Sequence, residues 1–288
     1  MHNFVDLQVN GHGGIDFLSA HSEDDIHTAS RSLAKNGVGA YLPTLITSDF
    51  SQLARAAAFI KRAQEDPRED EAHILGLHLE GPFISHAKCG VHPKNYISEI
   101  DLEYAEQLLR VGDIKIMTIA PELDGAIDLI KLLIDRGVVV SLGHSDATAA
   151  QAHAGFDAGA STVTHLFNAM SKDGGLAEVA RERDDVMIQM IVDDIHVPRE
   201  LVAEIIEQVG NRFILTNDAV AAAGLGDGSY SFGEMDIVVA SHQARRTDGT
   251  LAGGVATLDY SLQILADIGV DQKSALASVT TRPLALLN

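Results

Sequence analysis

The sequence predicts an α/β protein of the (β/α)8 TIM-barrel type. Three observations carry that prediction. Eight short apolar, β-branched runs are spaced along the chain, amphipathic stretches fall between most of them, and turn residues punctuate the joins. At 288 residues the chain is long enough for one such barrel.

The strand candidates, in order, are 4–9 (FVDLQV), 40–46 (AYLPTLI), 74–79 (ILGLHL), 114–119 (IKIMTI), 138–143 (VVVSLG), 161–166 (STVTHL), 187–192 (MIQMIV) and 213–218 (FILTND). Each is short, apolar and bounded by turn formers. The helical stretches are 24–36, 50–65, 101–111, 125–136, 148–158 and 198–209. Ser22 and Ser48 stand where N-caps are expected, and Gly37, Gly112 and Gly137 where helices stop. Segment 227–240 reads as a hairpin, and the tail after 250 as two or three helices closing the barrel. A doubly wound open sheet is the competing architecture. It usually shows a glycine-rich phosphate loop after the first strand, and VNGHGGID is not G-x-G-x-x-G. With no repeat, linker or low-complexity segment in view, residues 1–288 are expected to form a single catalytic barrel domain.

Composition narrows the function. Lys+Arg 21 against Asp+Glu 41 gives a net charge of −20, which repels a phosphate backbone and argues against a nucleic-acid partner. The single cysteine, Cys89, allows no internal disulfide and suits a reducing compartment. The N-terminus lacks a basic-then-apolar leader pattern, and no apolar run approaches the ~20 residues of a membrane helix. The expected setting is cytoplasmic.

In a barrel of this kind, chemistry sits at the C-terminal ends of the strands. Glu80, His144, His165, His196 and Asp218 stand at or just beyond those ends. A carboxylate with two imidazoles suits a borderline divalent ion, three protein donors leave a position open for water, and a further carboxylate can take that water's proton. The first strand is unusual. Many barrel hydrolases hold a metal there with His-x-His, but this chain has Gln8 and Asn10, which share one strand face. Neutral amides bind metal more weakly than imidazole, so a second metal position is predicted empty. His12 lies past the strand and is expected at the rim. Cys89, near a turn, is read as a small structural residue.

The motifs LHLEGPFIS, GVHP, APE, SLGHSDAT, VTHLFNAM, DIHV, NDA and LAGG occur in this order. In this the chain resembles the N-acetylglucosamine-6-phosphate deacetylases of the amidohydrolase superfamily over nearly its whole length. The resemblance implies a metal-dependent hydrolase that removes the acetyl group from an N-acetyl amino sugar. It makes Glu80, His144 and His165 the ligands of one divalent ion, zinc first and iron, manganese or cobalt as alternatives. Asp218 becomes the catalytic carboxylate, and His92, Asn168, Ala169, Met170 and His196 contact substrate. Members with Gln8 and Asn10 in place of His-x-His look like single-metal enzymes, and a homodimer is expected.

Two departures stand out. Within residues 1–288 no strands are expected to form the small β-sandwich that usually flanks the barrel. The arginine loop that usually follows THLFNAM is replaced by SKDGGLAEVARERDD, leaving Lys172 as the phosphate contact, with Arg181 and Arg183 on a following helix. A lysine binds phosphate as a point charge, without the guanidinium fork. The same metal chemistry on a non-phosphorylated or different N-acyl substrate, and a non-catalytic sugar-binding relative, are the alternatives.

Overall fold

The computed structural model describes residues 3–171 and 174–288. Eight parallel strands form the barrel: β1 (Phe4–Val9), β2 (Val38–Ile46), β3 (Leu77–Glu80), β4 (Ile114–Ile119), β5 (Val139–Leu142), β6 (Thr162–Val163), β7 (Met187–Met190) and β8 (Phe213–Leu215). Each pairs with the next in parallel. The register brings Ile46 beside Glu80, Glu80 beside Thr118 and Thr118 beside Ser141. The sheet turns back on itself between β8 and β1, where Asn10 N donates to Ala219 O at 2.7 Å and Ala219 N to Gln8 O at 3.3 Å. That return excludes the open doubly wound sheet. The strands read as nearly unbroken apolar runs because both faces are covered, by barrel interior on one side and helices on the other. All six residues of β1 are buried.

The outer helices begin with α1 (Glu23–Lys35), α2 (Phe50–Glu65), α3 (Leu102–Leu108) and α4 (Ala126–Asp135). They continue with α5 (Ala149–Asp157), α6 (Gly175–Glu182) and α7 (Arg199–Val209), and α8 (Leu258–Asp267), α9 (Gln272–Ser278) and α10 (Thr281–Leu286) close the chain. Ser22 caps α1 as expected, in a reciprocal box with Asp25. At α2 the cap is Asp49 rather than Ser48, because its carboxylate accepts from Ser51 N. Gly37 and Gly137 take the left-handed backbone of helix stops. Gly112 does not mark the end of α3, which finishes earlier at Leu108. A Cβ at Gly112 would instead meet Leu77 Cδ1 at 2.6 Å.

The expected hairpin is larger than its sequence suggested. Strands Gly228–Phe232, Met235–Ala240 and Gln243–Arg246 form a three-stranded antiparallel sheet over the barrel mouth. Asp16 anchors it, its Oδ2 accepting from Ser19 N at 2.8 Å and Gly233 N at 3.1 Å. Burial drives the Asp16 carboxyl up to about 6, against partial relief from those hydrogen bonds. A carboxyl whose folded pKa is raised contributes stability at low pH and loses it as pH rises through the folded value. The shift corresponds to about 3 kcal/mol of pH-dependent stability. Asp16→Asn should therefore lose less stability than the parent between pH 4 and pH 7, which chemical denaturation at stepped pH would show; parallel stability curves would contradict it.

His12 is not at the rim. It is buried under the 222–225 loop, with Nδ1 2.9 Å from Ser32 Oγ and burial pulling its pKa down to about 4.

Candidate metal and catalytic site

Three donor atoms converge at the barrel mouth. His144 Nε2 and His165 Nε2 each lie 3.0 Å from Glu80 Oε1 and 3.1 Å from one another. His144 is the informative member. Its Nδ1 faces the Lys88 carbonyl at 3.0 Å, and a carbonyl only accepts, so the Nδ1 proton is fixed. Without a proton on Nε2, the ring turns a lone pair toward a carboxylate oxygen. Two such atoms 3.0 Å apart in a buried site need a positive charge between them, a shared proton or a metal ion. Donors about 2.1 Å from a shared ion would stand about 3.0–3.4 Å apart, so these atoms are close to the spacing a divalent ion needs. His165 Nδ1 is buried with no hydrogen-bond partner among the described residues, so its ring has Nε2 as its working atom. The residues present fit a divalent ion.

His92 also approaches. One donor atom each of Glu80, His92 and His144 lie within 4.8 Å of one another. Thr47 engages the other ring nitrogen of His92. The Thr47 backbone N–H donates to His92 Nδ1 at 3.4 Å, with the threonine hydroxyl 2.9 Å away. With Nδ1 accepting, the proton resides on Nε2, 3.8 Å from Glu80 Oε2. His92 thus offers the site a hydrogen-bond donor.

Burial pushes the Glu80 carboxyl up, but the three histidines together overcome it and hold the group well below the usual carboxylate range. Asp218 goes the other way. Burial, and then the charge of Glu80, push its carboxyl well above that range. Asn10 Nδ2 donates to Asp218 Oδ1 at 2.7 Å, and Gln8 Nε2 to Glu80 Oε1 at 2.8 Å. Both first-strand amides therefore reach the site, as their shared face predicted, and both face it with donor N–H groups rather than lone pairs.

His144, His165 and Asp218 all have left-handed backbones, with φ of 47°, 29° and 48°. Such conformations cost of order 1–3 kcal/mol each and persist only where the surroundings dictate them. At Asp218 the surroundings are the LAGG segment. Gly254 N donates to Asp218 O at 2.8 Å, and Val220 N to Gly254 O at 3.1 Å. A Cβ at Gly254 would stand 2.2 Å from Asn217 O. Gly254→Ala should cost about 2–3 kcal/mol of stability, since the clash is with backbone. Thermal and denaturant unfolding would measure this; an unchanged midpoint would contradict it.

The APE motif acts on His144 through its loop. Glu122 Oε2 accepts from Ser145 Oγ at 2.7 Å and Oε1 from Asp146 N at 2.6 Å. Glutamine has one acceptor oxygen instead of two. Glu122→Gln should weaken metal affinity by about tenfold, the low end for partners that orient a ligand. Competition with a chelator would show it; unchanged affinity would mean that Glu122 does not orient His144. Beneath the site lies a one-way hydrogen-bond chain. Ser141 Oγ and Thr164 Oγ1 are 2.5 Å apart, Thr164 and Thr118 hydroxyls 2.8 Å, and Thr118 Oγ1 and His78 Nε2 2.8 Å, while His78 Nδ1 donates to Leu7 O at 3.1 Å. Burial pulls His78 down to about 4, so it is neutral.

A cavity of about 380 Å³ opens over these groups. Its walls include Glu80, His92, His144, His165 and Asp218, with Asn168, Ala169 and His196. Met170 is absent from the walls: it is buried in the core and bridges Ser145. Ile46, Phe167, Ile191 and Phe232 add apolar surface. Lys172 lies outside the described residues. Arg181 is held by Gln208 and sits over the Phe167 ring, and Arg183 pairs with Asp157 and Asp185; neither lines the cavity. Cys89 is buried beside Gly90 and does not line it either.

A parallel barrel that gathers one carboxylate and two imidazoles at its mouth, beside a second carboxylate, defines a hydrolase of the amidohydrolase type whose residues fit a divalent ion. No protein-family model matches the chain. It is similar to the N-acetylglucosamine-6-phosphate deacetylase of Bacillus subtilis, with 32% identity covering 98% of this chain and 73% of the relative. The structure of the Mycobacterium smegmatis N-acetyl-D-glucosamine-6-phosphate deacetylase with N-acetyl-D-glucosamine-6-phosphate superposes with a TM-score of 0.93 at 33% identity, covering 99% of this chain and 77% of that one. A D-hydantoinase shares the fold alone, with a TM-score of 0.56 at 13% identity over 96% of this chain and 69% of that one. The chain belongs to the N-acetylglucosamine-6-phosphate deacetylase family.

Proposed function

We propose that this chain hydrolyses the acetamide of N-acetylglucosamine-6-phosphate to the free amine and acetate, using one divalent ion held by Glu80, His144 and His165. The observation that carries the proposal is the convergence of the two Nε2 atoms on Glu80 Oε1, with the His144 lone pair fixed inward by Lys88 O. A divalent ion there supplies Lewis acidity that brings the pKa of a water toward neutrality. Asp218 accepts the proton as the water oxygen bonds to the acetyl carbon. His92 donates its Nε2–H to the acetyl oxygen as that oxygen gains charge. Asp218 then returns the proton to nitrogen as the C–N bond breaks, because an unprotonated amide nitrogen is too poor a leaving group. Asn10 holds one Asp218 oxygen, leaving the other for the proton.

Gln8 and Asn10, committed to Glu80 and Asp218 through their N–H groups, support a single ion rather than a pair. Zinc fits the Glu-His-His set best, with iron, manganese and cobalt sharing the same ligand preferences. Metal analysis of purified protein should give one equivalent per chain, and two would refute the single-ion reading. A homodimer in the cytoplasm completes the proposal. None of the described helices is long and apolar enough to cross a membrane.

One observation favours a second substrate reading. Among the described residues, the cavity walls contain no lysine or arginine. Hydrolysis of the unphosphorylated amino sugar would use the same chemistry. Comparing kcat/KM for N-acetylglucosamine with and without the 6-phosphate separates the two: preference for the phosphorylated sugar supports the first, equality or reversal the second.

A further inference from the structure

The loop after β7 carries His196 to the cavity wall, and Asp193 is hydrogen-bonded to it. Asp193 is buried, and its carboxylate accepts three hydrogen bonds within its own loop. Oδ1 takes Ile195 N and His196 N, both at 2.9 Å, and Oδ2 takes His196 Nδ1 at 2.7 Å. Burial works against its charge, but the hydrogen bond from His196, the charge of that ring when protonated, and the loop amides outweigh burial and hold the carboxyl below its usual range. An ionised carboxylate only accepts, so the His196 Nδ1 proton is fixed on Asp193. In the neutral ring Nε2 then faces the cavity as a lone pair. The loop itself is pinned from outside: Arg199 Nε and NH2 reach Asp194 Oδ1 and Oδ2 at 2.5 and 2.6 Å, and Arg199 NH1 reaches Asp267 at 3.5 Å.

The two cavity histidines outside the ligand set therefore have opposite polarity. Thr47 leaves His92 with an N–H at Nε2, suited to an oxygen that gains negative charge. Asp193 leaves His196 with an acceptor at Nε2, suited to a group that carries a hydrogen. We propose that Asp193 is a positioning residue that fixes His196 as the hydrogen-bond acceptor for a hydroxyl of the amine-side sugar, and so contributes to substrate choice rather than to the chemical step. This rests on the deacetylase reading for the identity of the substrate, but the tautomer itself does not.

Asp193→Asn is the discriminating change. Its amide oxygen can still accept the two loop amides, so the loop is kept. Its NH2 then faces His196 Nδ1 and donates to it, which moves the ring proton to Nε2. In the zinc-loaded protein, the 15N shifts of the His196 ring should interchange between parent and Asp193→Asn. KM should rise about tenfold, the loss of one hydrogen bond, with kcat changed less than threefold. His196→Gln can turn either amide atom to the cavity, so Asp193→Asn should add almost nothing in that background, a coupling that a purely structural role would not produce. An unmoved His196 tautomer, or equal cost of Asp193→Asn in both backgrounds, would overturn the inference. Parent protein inactive on N-acetylglucosamine-6-phosphate, yet with the tautomer interchange intact, would count against the deacetylase reading and leave the assignment of Asp193 to His196 standing.

Discussion

Asp218→Asn should lower kcat by about 10³-fold or more, because one group is asked to act first as base and then as acid. The variant is unusually clean. Asparagine tolerates the left-handed backbone found here at φ 48°. Its amide oxygen can still accept from Asn10, which now donates to the aspartate at 2.7 Å. Asp218 is not in the proposed ligand set, so metal content should stay at the parental value. Turnover, metal analysis and unfolding on one preparation test all three points. Activity within tenfold of the parent would remove Asp218 from the proton-transfer role.

Glu80→Gln should have the other large effect, through the metal rather than through proton transfer. Glu80 Oε1 is the atom on which His144, His165 and Gln8 all converge. A neutral amide is a weaker ligand than a carboxylate, and the charge that balances the cation is lost. Loss of a partner that merely orients a ligand costs 10–100-fold in affinity, so loss of the ligand itself should exceed about 100-fold. Activity should fall in step and return in part at high metal concentration. A variant that keeps one tightly held equivalent of metal would shift the ligand set toward His92, which lies close enough to serve if Thr47 did not hold its Nδ1 as an acceptor.

Much of this was legible in the sequence, for physical reasons. Parallel strands covered on both faces advertise themselves as apolar runs, and all eight strands fall where those runs stand. Strand ends then place Glu80, His144, His165 and Asp218 at one mouth by topology alone. What stayed hidden depends on loops. Thr47, Glu122 and Asp193 resemble ordinary loop and turn residues, and nothing in their spacing says which histidine each one serves. His78 was within reach: it shares a strand face with Glu80, which should have marked it as lying under the site. Met170 misled because it follows Asn168 and Ala169 in one motif, although the chain turns it into the core through its bridge with Ser145. His12 misled because the 222–225 loop that buries it lies far away in sequence. The sheet over the mouth was half seen, since its first turn is marked by Gly233 but its third strand, QARR, is too polar to read as one.

The most direct test is acetate release from N-acetylglucosamine-6-phosphate by protein loaded with one equivalent of zinc. Acetate and free amine should appear in equal amounts, a chelator should stop the reaction, and returned metal should restore it. No acetate with zinc, manganese, iron or cobalt in turn, on protein shown to be folded, would contradict the account.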